Sequence, residues 1–111
     1  LATDSIRVTV DRQRRIYFPN AFSPNGDGVN DVFTVFGDVP NVQLIRRLAV
    51  FDRWGALLYE REAFPPNDPA AGWDGTVAGR QLGRGIYVYL AEVEFLDGEV
   101  LTFSGDVLLL R

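Results

Sequence analysis

The chain has 111 residues and a formal charge of −4, from 11 basic against 15 acidic side chains, and 47% of it is apolar. That composition suits one domain with a modest core, and its acidic balance argues against nucleic acid or an anionic membrane surface as partner. Cys, His and Met are absent, which removes thiol and imidazole nucleophiles, Ser-His-Asp triads and thiolate or imidazole zinc sites; any metal must be hard and oxygen-ligated.

Ile6, Val8 and Val10 alternate with Arg7 and Thr9, the pattern of a short strand. The charged stretch 11–15 after it reads as a linker. Residues 1–10 are therefore expected to be the last strand of an upstream immunoglobulin- or PKD-like domain, or else an edge strand of this one. The abrupt start at Leu1 is what a piece of a longer chain would show. Residues 16–111 then form the domain proper.

Ile16–Phe18 opens a strand, a loop covers 19–31, and Val32–Phe36 follows as a strand. In that loop Asn25, Asp27, Asn30 and Asp31 crowd together, with Gly26 and Gly28 between them and Pro24 ahead. Hard cations take several oxygens from carboxylates, amides and carbonyls, and glycine lets a loop curl tightly enough to supply them. Asn25, Asp27 and Asp31, with the carbonyl near Val29, are the candidate ligands for Ca²⁺. Phe36 stands where the helical calcium loop needs its final Glu, so this is not an EF-hand. The alternative is Asx-turn chemistry, with the same oxygens accepting bonds from nearby backbone N–H groups.

The strand at 41–52 carries Leu44, Leu48 and Val50 with Arg46 and Arg47 interposed. Asp52-Arg53-Trp54-Gly55 turns the chain, and Ala56–Glu62 returns, so 48–60 reads as a hairpin. Residues 64–85, rich in Pro, Gly, Asn and Asp, read as irregular. Ile86–Leu96 has Tyr87, Tyr89, Ala91, Val93 and Phe95 on one face. On the other, Ile86, Val88 and Leu90 give way to Glu92 and Glu94. Asp97-Gly98 reads as a two-residue hairpin turn, and 100–110 pairs back with Leu101, Phe103, Val107 and Leu109 inward. No apolar spacing sustains a helix. The fold expected is all-β, an immunoglobulin-like antiparallel β-sandwich of about six to seven strands.

Two aromatic-glycine turns, Asp52-Arg53-Trp54-Gly55 and Trp73-Asp74-Gly75-Thr76, admit two readings. Trp54, Trp73 and Tyr59 could form an exposed carbohydrate platform. The favoured alternative folds each Trp back over an open end of the sandwich, its N–H satisfied by a loop carbonyl. Asp52 and Asp74 could pair with Arg53 or Arg84, or complete a metal shell. Glu60, Glu62, Glu92 and Glu94 are better explained by solvation than as a glycosidase pair, which needs a cleft.

Five blocks occur in order: Phe18-Pro19-Asn20-Ala21-Phe22-Ser23-Pro24-Asn25-Gly26-Asp27-Gly28-Val29-Asn30-Asp31-Val32-Phe33; Leu48-Ala49-Val50-Phe51-Asp52-Arg53-Trp54-Gly55; Trp73-Asp74-Gly75-Thr76; Gly85-Ile86-Tyr87-Val88-Tyr89; and Gly105-Asp106-Val107-Leu108-Leu109-Leu110-Arg111. Together they resemble the gliding motility-associated C-terminal domain family, the type B sorting domain of the type IX secretion system in Bacteroidota, over about residues 16–111. The chain lacks the lysines such domains commonly carry, without loss of the motifs. The resemblance implies a non-catalytic sorting signal, a monomeric module that directs a large surface or secreted protein through the outer membrane. Its partners would be the outer-membrane secretion machinery and a cognate outer-membrane protein, with no nucleic acid and no membrane insertion. Matching loop and turn residues are Asn25, Asp27, Asn30, Asp31, Asp52, Arg53, Gly55, Trp73, Asp74 and Gly75, and the family supplies no catalytic residue to carry over. Ca²⁺, where bound, would be structural. The contrasting expectation is an adhesive or carbohydrate-binding, calcium-stabilised β-sandwich that works for itself at the cell surface.

Overall fold

A computed structural model describes residues 16–26, 31–37 and 41–110. The expectations for residues 1–10 and 11–15, and those for Asp27, Val29 and Asn30, lie outside the described residues. Among the described residues nine strands occur in the order β1 (Ile16–Tyr17), β2 (Ala21–Phe22), β3 (Phe36–Gly37), β4 (Val42–Phe51), β5 (Leu57–Phe64), β6 (Thr76–Val77), β7 (Arg80–Gln81), β8 (Gly85–Phe95) and β9 (Val100–Leu109). The main sheet runs β2-β9-β8-β4-β5, with β1-β3 and β6-β7 as separate two-stranded pairs. The fold is all-β, an open sandwich rather than a closed barrel.

The main sheet has one buried face because β8 and β9 alternate with period two. Tyr89, Ala91, Val93 and Phe95 of β8 are buried, as are Val107 and Leu109 of β9. β4 reaches the same face by a less regular route. Its register against β8 slips between Val42 and Leu44 and again between Ile45 and Arg47. Each bulge adds a residue and re-aims the strand, so Val42, Ile45, Leu48 and Val50 all point inward. They stand opposite Phe95, Val93, Ala91 and Tyr89 respectively. The second slip also leaves both Arg46 and Arg47 outward, where Arg46 meets Glu94 at 3.3 Å and Arg47 pairs with Glu60.

The covering layer comes from residues before β4 and after β5. Ile16, Phe18, Phe33, Val35, Ala71 and Trp73 are buried in one cluster with the sheet's inner face, to which Phe22 of β2 and Phe64 of β5 also contribute. Phe18 stacks on Tyr89 at 4.8 Å, and Phe33 meets Tyr89 at 5.1 Å. Three polar devices hold this layer without long strands. Phe33 and Trp73 exchange backbone hydrogen bonds of 2.8 and 2.9 Å. Asn67 donates its N–H to the Val35 carbonyl, and its side-chain amide pairs with both backbone groups of Gly37. Asp68 caps a single 3₁₀ turn, Pro69–Ala71, by accepting from the Ala70 N–H at 3.0 Å.

Four local expectations change. β2 pairs with β9 in parallel, Ala21 against Leu108, so the sheet is not wholly antiparallel. The strand expected at 32–36 contracts to a bridge at Phe33 and the two residues of β3. The stretch 64–85 holds the 3₁₀ turn and the β6–β7 pair. The β8–β9 turn has three loop residues, not two. Phe95 N–H donates to the Glu99 carbonyl, Gly98 N–H donates to Phe95, and Gly98 takes the left-handed φ of 89°. A type I turn needs such a residue after it to match the strand twist, and glycine takes it without strain.

Tyr89 also gives this core an alkaline limit. Burial, helped by the charge of Asp106, pushes its hydroxyl up to about 12 from 10.0. Between those values the unfolded chain sheds the proton while the folded chain keeps it, so stability falls as pH rises. The contribution is whole below about pH 10 and lost towards pH 12, and it amounts to about 2–3 kcal/mol. Urea midpoints measured from pH 9 to 12 should fall, and fall less for Tyr89→Phe. Parallel curves for the two proteins would contradict the assignment.

Candidate functional site

The Asn/Asp loop is described at its two ends. Asp31 Oδ1 accepts from the backbone N–H groups of Asn25, at 3.2 Å, and Gly26, at 3.0 Å. The carboxylate therefore closes the loop base on backbone donors that precede it in the chain. Among the described residues no group of three or more carboxylates is placed to hold a metal ion.

The two aromatic turns diverge. In the β4–β5 hairpin, Asp52 N–H donates to the Ala56 carbonyl and Gly55 N–H to Asp52, with Gly55 at a φ of 89°. Asp52 Oδ1 also accepts from the N–H groups of Trp54, at 2.8 Å, and Ala56, at 2.9 Å. The side chain at the third position of such a turn points away from both strands. Trp54 is accordingly 84% exposed, with the Arg53 guanidinium 6.0 Å from its ring centre. The expectation that Trp54 folds back over the sandwich is thus corrected.

Trp73 behaves as expected. It precedes its turn instead of sitting at the tip, and the Phe33 bridge fixes its backbone. Its indole is fully buried against Phe22 and Tyr87, and Nε1–H donates to the Thr76 carbonyl at 3.0 Å. Asp74 Oδ1 accepts from both the N–H and the hydroxyl of Thr76, at 3.1 and 2.6 Å. Gly75 takes a φ of 84° there. Asp52 and Asp74 thus brace their own turns, in place of the expected pairing with Arg53 or Arg84. The carbohydrate platform does not assemble: Trp73 is inside, and the Tyr59 hydroxyl donates to the Ala71 carbonyl at 2.6 Å. Burial raises the Tyr59 hydroxyl, with Arg61 opposing.

A further feature lies on the outward face of the main sheet. Along β8 it is aliphatic at the Trp54 end and acidic at the other, and Asp106 of β9 stands opposite Val88. Ile86 and Val88 are exposed on one half; Glu92 and Glu94 lie level with Arg47 and Leu44 of β4 on the other. Asp31, Asp52 and Asp74 accept loop and turn hydrogen bonds, and Glu60 and Glu94 are engaged in ion pairs.

Residues 16–108 match the family model described as the CHU_C type IX secretion signal domain. The chain belongs to this family. No curated protein matches it. Membership of the CHU_C family assigns the role: the domain is a sorting signal that sends the protein carrying it across the outer membrane, to the cell surface or beyond, and it interacts with the type IX secretion machinery.

Within this CHU_C domain, the motif residues Asp52, Gly55, Asp74, Gly75 and Trp73 hold the turns and the core. Arg53 and Trp54 project into solvent from the β4–β5 turn. Leu57, Arg84, Ile86 and Val88 were not among the site residues expected from the sequence. The available signal was the outward register of β8, where aliphatic side chains precede Glu92 and Glu94 instead of alternating with polar ones.

Proposed function

We propose that this CHU_C domain acts as a folded, non-catalytic address read by the outer-membrane secretion machinery through a cognate outer-membrane protein. The observation that carries the reading is the family match across residues 16–108. The turn hydrogen bonds of Asp52 and Asp74 and the surface pairs of Glu60 and Glu94 are in keeping with it. Fusing residues 1–111 to a neutral reporter, in a host with this secretion system, tests the role. The reporter should appear outside the cells, and its retention inside would sink the reading.

For the 22–33 loop we propose that Asp31 sets the shape and that Ca²⁺ adds stiffness through Asn25, Asp27 and the Val29 carbonyl. An extracellular-type site, with a dissociation constant of roughly 10⁻⁴–10⁻³ M, would contribute only about 0.4–1.4 kcal/mol at millimolar calcium. The melting temperature should therefore rise by a few degrees between chelator and millimolar calcium, and Asp27→Ala should abolish the difference. Identical melting in the two conditions would leave the Asx turn as the whole account.

A further inference from the structure

The β4–β5 hairpin tip and the aliphatic half of the outward sheet face lie at one end of the main sheet. The register sets Phe51 level with Val88, so Ile86 and Arg84 continue beside the turn that carries Arg53 and Trp54. Trp54 is 84% exposed, Leu57 51% and Ile86 49%, with Val88 at 36%. Large apolar side chains gathered at one exposed place mark interaction surfaces more often than scattered ones do. Trp and Arg are also the residues most enriched among interface anchors. The tip is held by Asp52, whose carboxylate fixes the backbone on both sides of Gly55. Little conformational freedom is then lost when Trp54 is captured.

Charge distinguishes this half of the face from the other. Arg46 and Arg47 are matched by Glu94 and Glu60, whereas Arg53 and Arg84 form no ion pair with a described carboxylate. Two cations outside ion pairs thus flank the apolar cluster, with the Asp106 carboxylate beside it opposite Val88, in a chain whose formal charge is −4. We infer that this end of the sheet is the surface by which the secretion machinery holds the domain, through an outer-membrane protein offering an apolar seat rimmed by carboxylates. The inference rests on the sorting role proposed above and gives that role a place on the molecule. A glycan is disfavoured because the second and third rings it would stack on are withdrawn. An anionic lipid surface is disfavoured by the net negative charge.

The test uses residues 1–111 fused to a reporter in a host with the type IX system, comparing wild type with three double variants. Trp54→Ser with Ile86→Ser removes the apolar centre, and Arg53→Glu with Arg84→Glu reverses the rim. Arg46→Gln with Glu94→Gln alters only the charged half. External reporter should fall about tenfold or more for the first two, as loss of interface anchors does, and stay at the wild-type level for the third. The purified variants should melt within a few degrees of wild type, since every altered side chain is at the surface. Wild-type export by the folded first two variants would overturn this surface while leaving the sorting role intact. An equal loss in all three would overturn it too. Retention of the wild-type fusion would remove the sorting role itself. If purified wild type self-associates and Trp54→Ser abolishes that, the surface belongs to a second copy instead.

Discussion

Replacing Trp73 with alanine is expected to cost about 3–5 kcal/mol, the range for emptying a large aromatic site in a core. The indole is fully buried and stands between Phe22, at 5.5 Å, and Tyr87, at 5.3 Å. These rings join the covering layer to the main sheet, and few long strands in that layer could take up the loss. Truncation also leaves the Thr76 carbonyl without the indole N–H it accepts, a further penalty for a part-buried group. Small domains hold only about 5–15 kcal/mol in total, so at the low end of that range the variant is largely unfolded at physiological temperature. Urea denaturation followed by far-ultraviolet circular dichroism measures it. Trp73→Phe should retain roughly half the lost stability by filling most of the volume. A cost for Trp73→Ala below about 1 kcal/mol would mean that the layer is not tied through this ring.

The second large effect is expected at Gly72, and it comes from space, not conformation. Its backbone is extended, so any residue could adopt it. A Cβ added there would lie 2.7 Å from Val32 Cγ2, 2.9 Å from Val32 Cβ and 3.0 Å from the Phe33 carbonyl oxygen. Val32 is β-branched and stiff at χ1, and the carbonyl is already engaged by Trp73. Relief requires pulling the two segments apart and stretching the bridge between Phe33 and Trp73. Gly72→Ala should therefore cost about 1–3 kcal/mol, with the loss concentrated in the covering layer. Gly83→Ala is the matched control. A Cβ there meets nothing within 4 Å, so its effect should stay within about 0.5 kcal/mol. Equal effects at the two glycines would contradict the packing described here.

Most of the main sheet was legible in the sequence because β8 and β9 alternate cleanly. The residues expected inward on β8, Tyr89 through Phe95, are buried. β4 was only partly legible. Its two bulges space the inward residues at 42, 45, 48 and 50, a rhythm that matches neither a plain strand nor a helix. β2 was missed because two residues inside a proline- and glycine-rich segment carry no periodicity; their pairing is set by Phe22 entering the core. The covering layer was missed for a related reason. Asn67, Asp68 and the Phe33 bridge replace strand pairing with single contacts between residues 30 or more positions apart.

The two tryptophan turns show how much hangs on one position. Both place an aromatic residue and a glycine beside an aspartate, and both were expected to cover the sandwich. In the first, Trp54 occupies the turn itself and glycine follows at once, so the ring leaves the sheet. In the second, Trp73 comes before Asp74 and Gly75, and the turn forms after the indole has entered the core. Composition could not separate them, whereas the order of residues within each turn does so on physical grounds.

The division between held and projecting motif residues has a consequence for how the signal works. A sorting signal read as a folded surface depends on the core that supports it; a linear signal does not. The fraction of a fused reporter found outside the cells distinguishes the two, measured for residues 1–111 and for the same chain carrying Trp73→Ala, in a host with the type IX system. The wild-type fusion is expected outside, with the unfolded variant accumulating inside or being degraded there. Retention of the wild-type fusion, or equal export of a variant shown to be unfolded, would contradict the account.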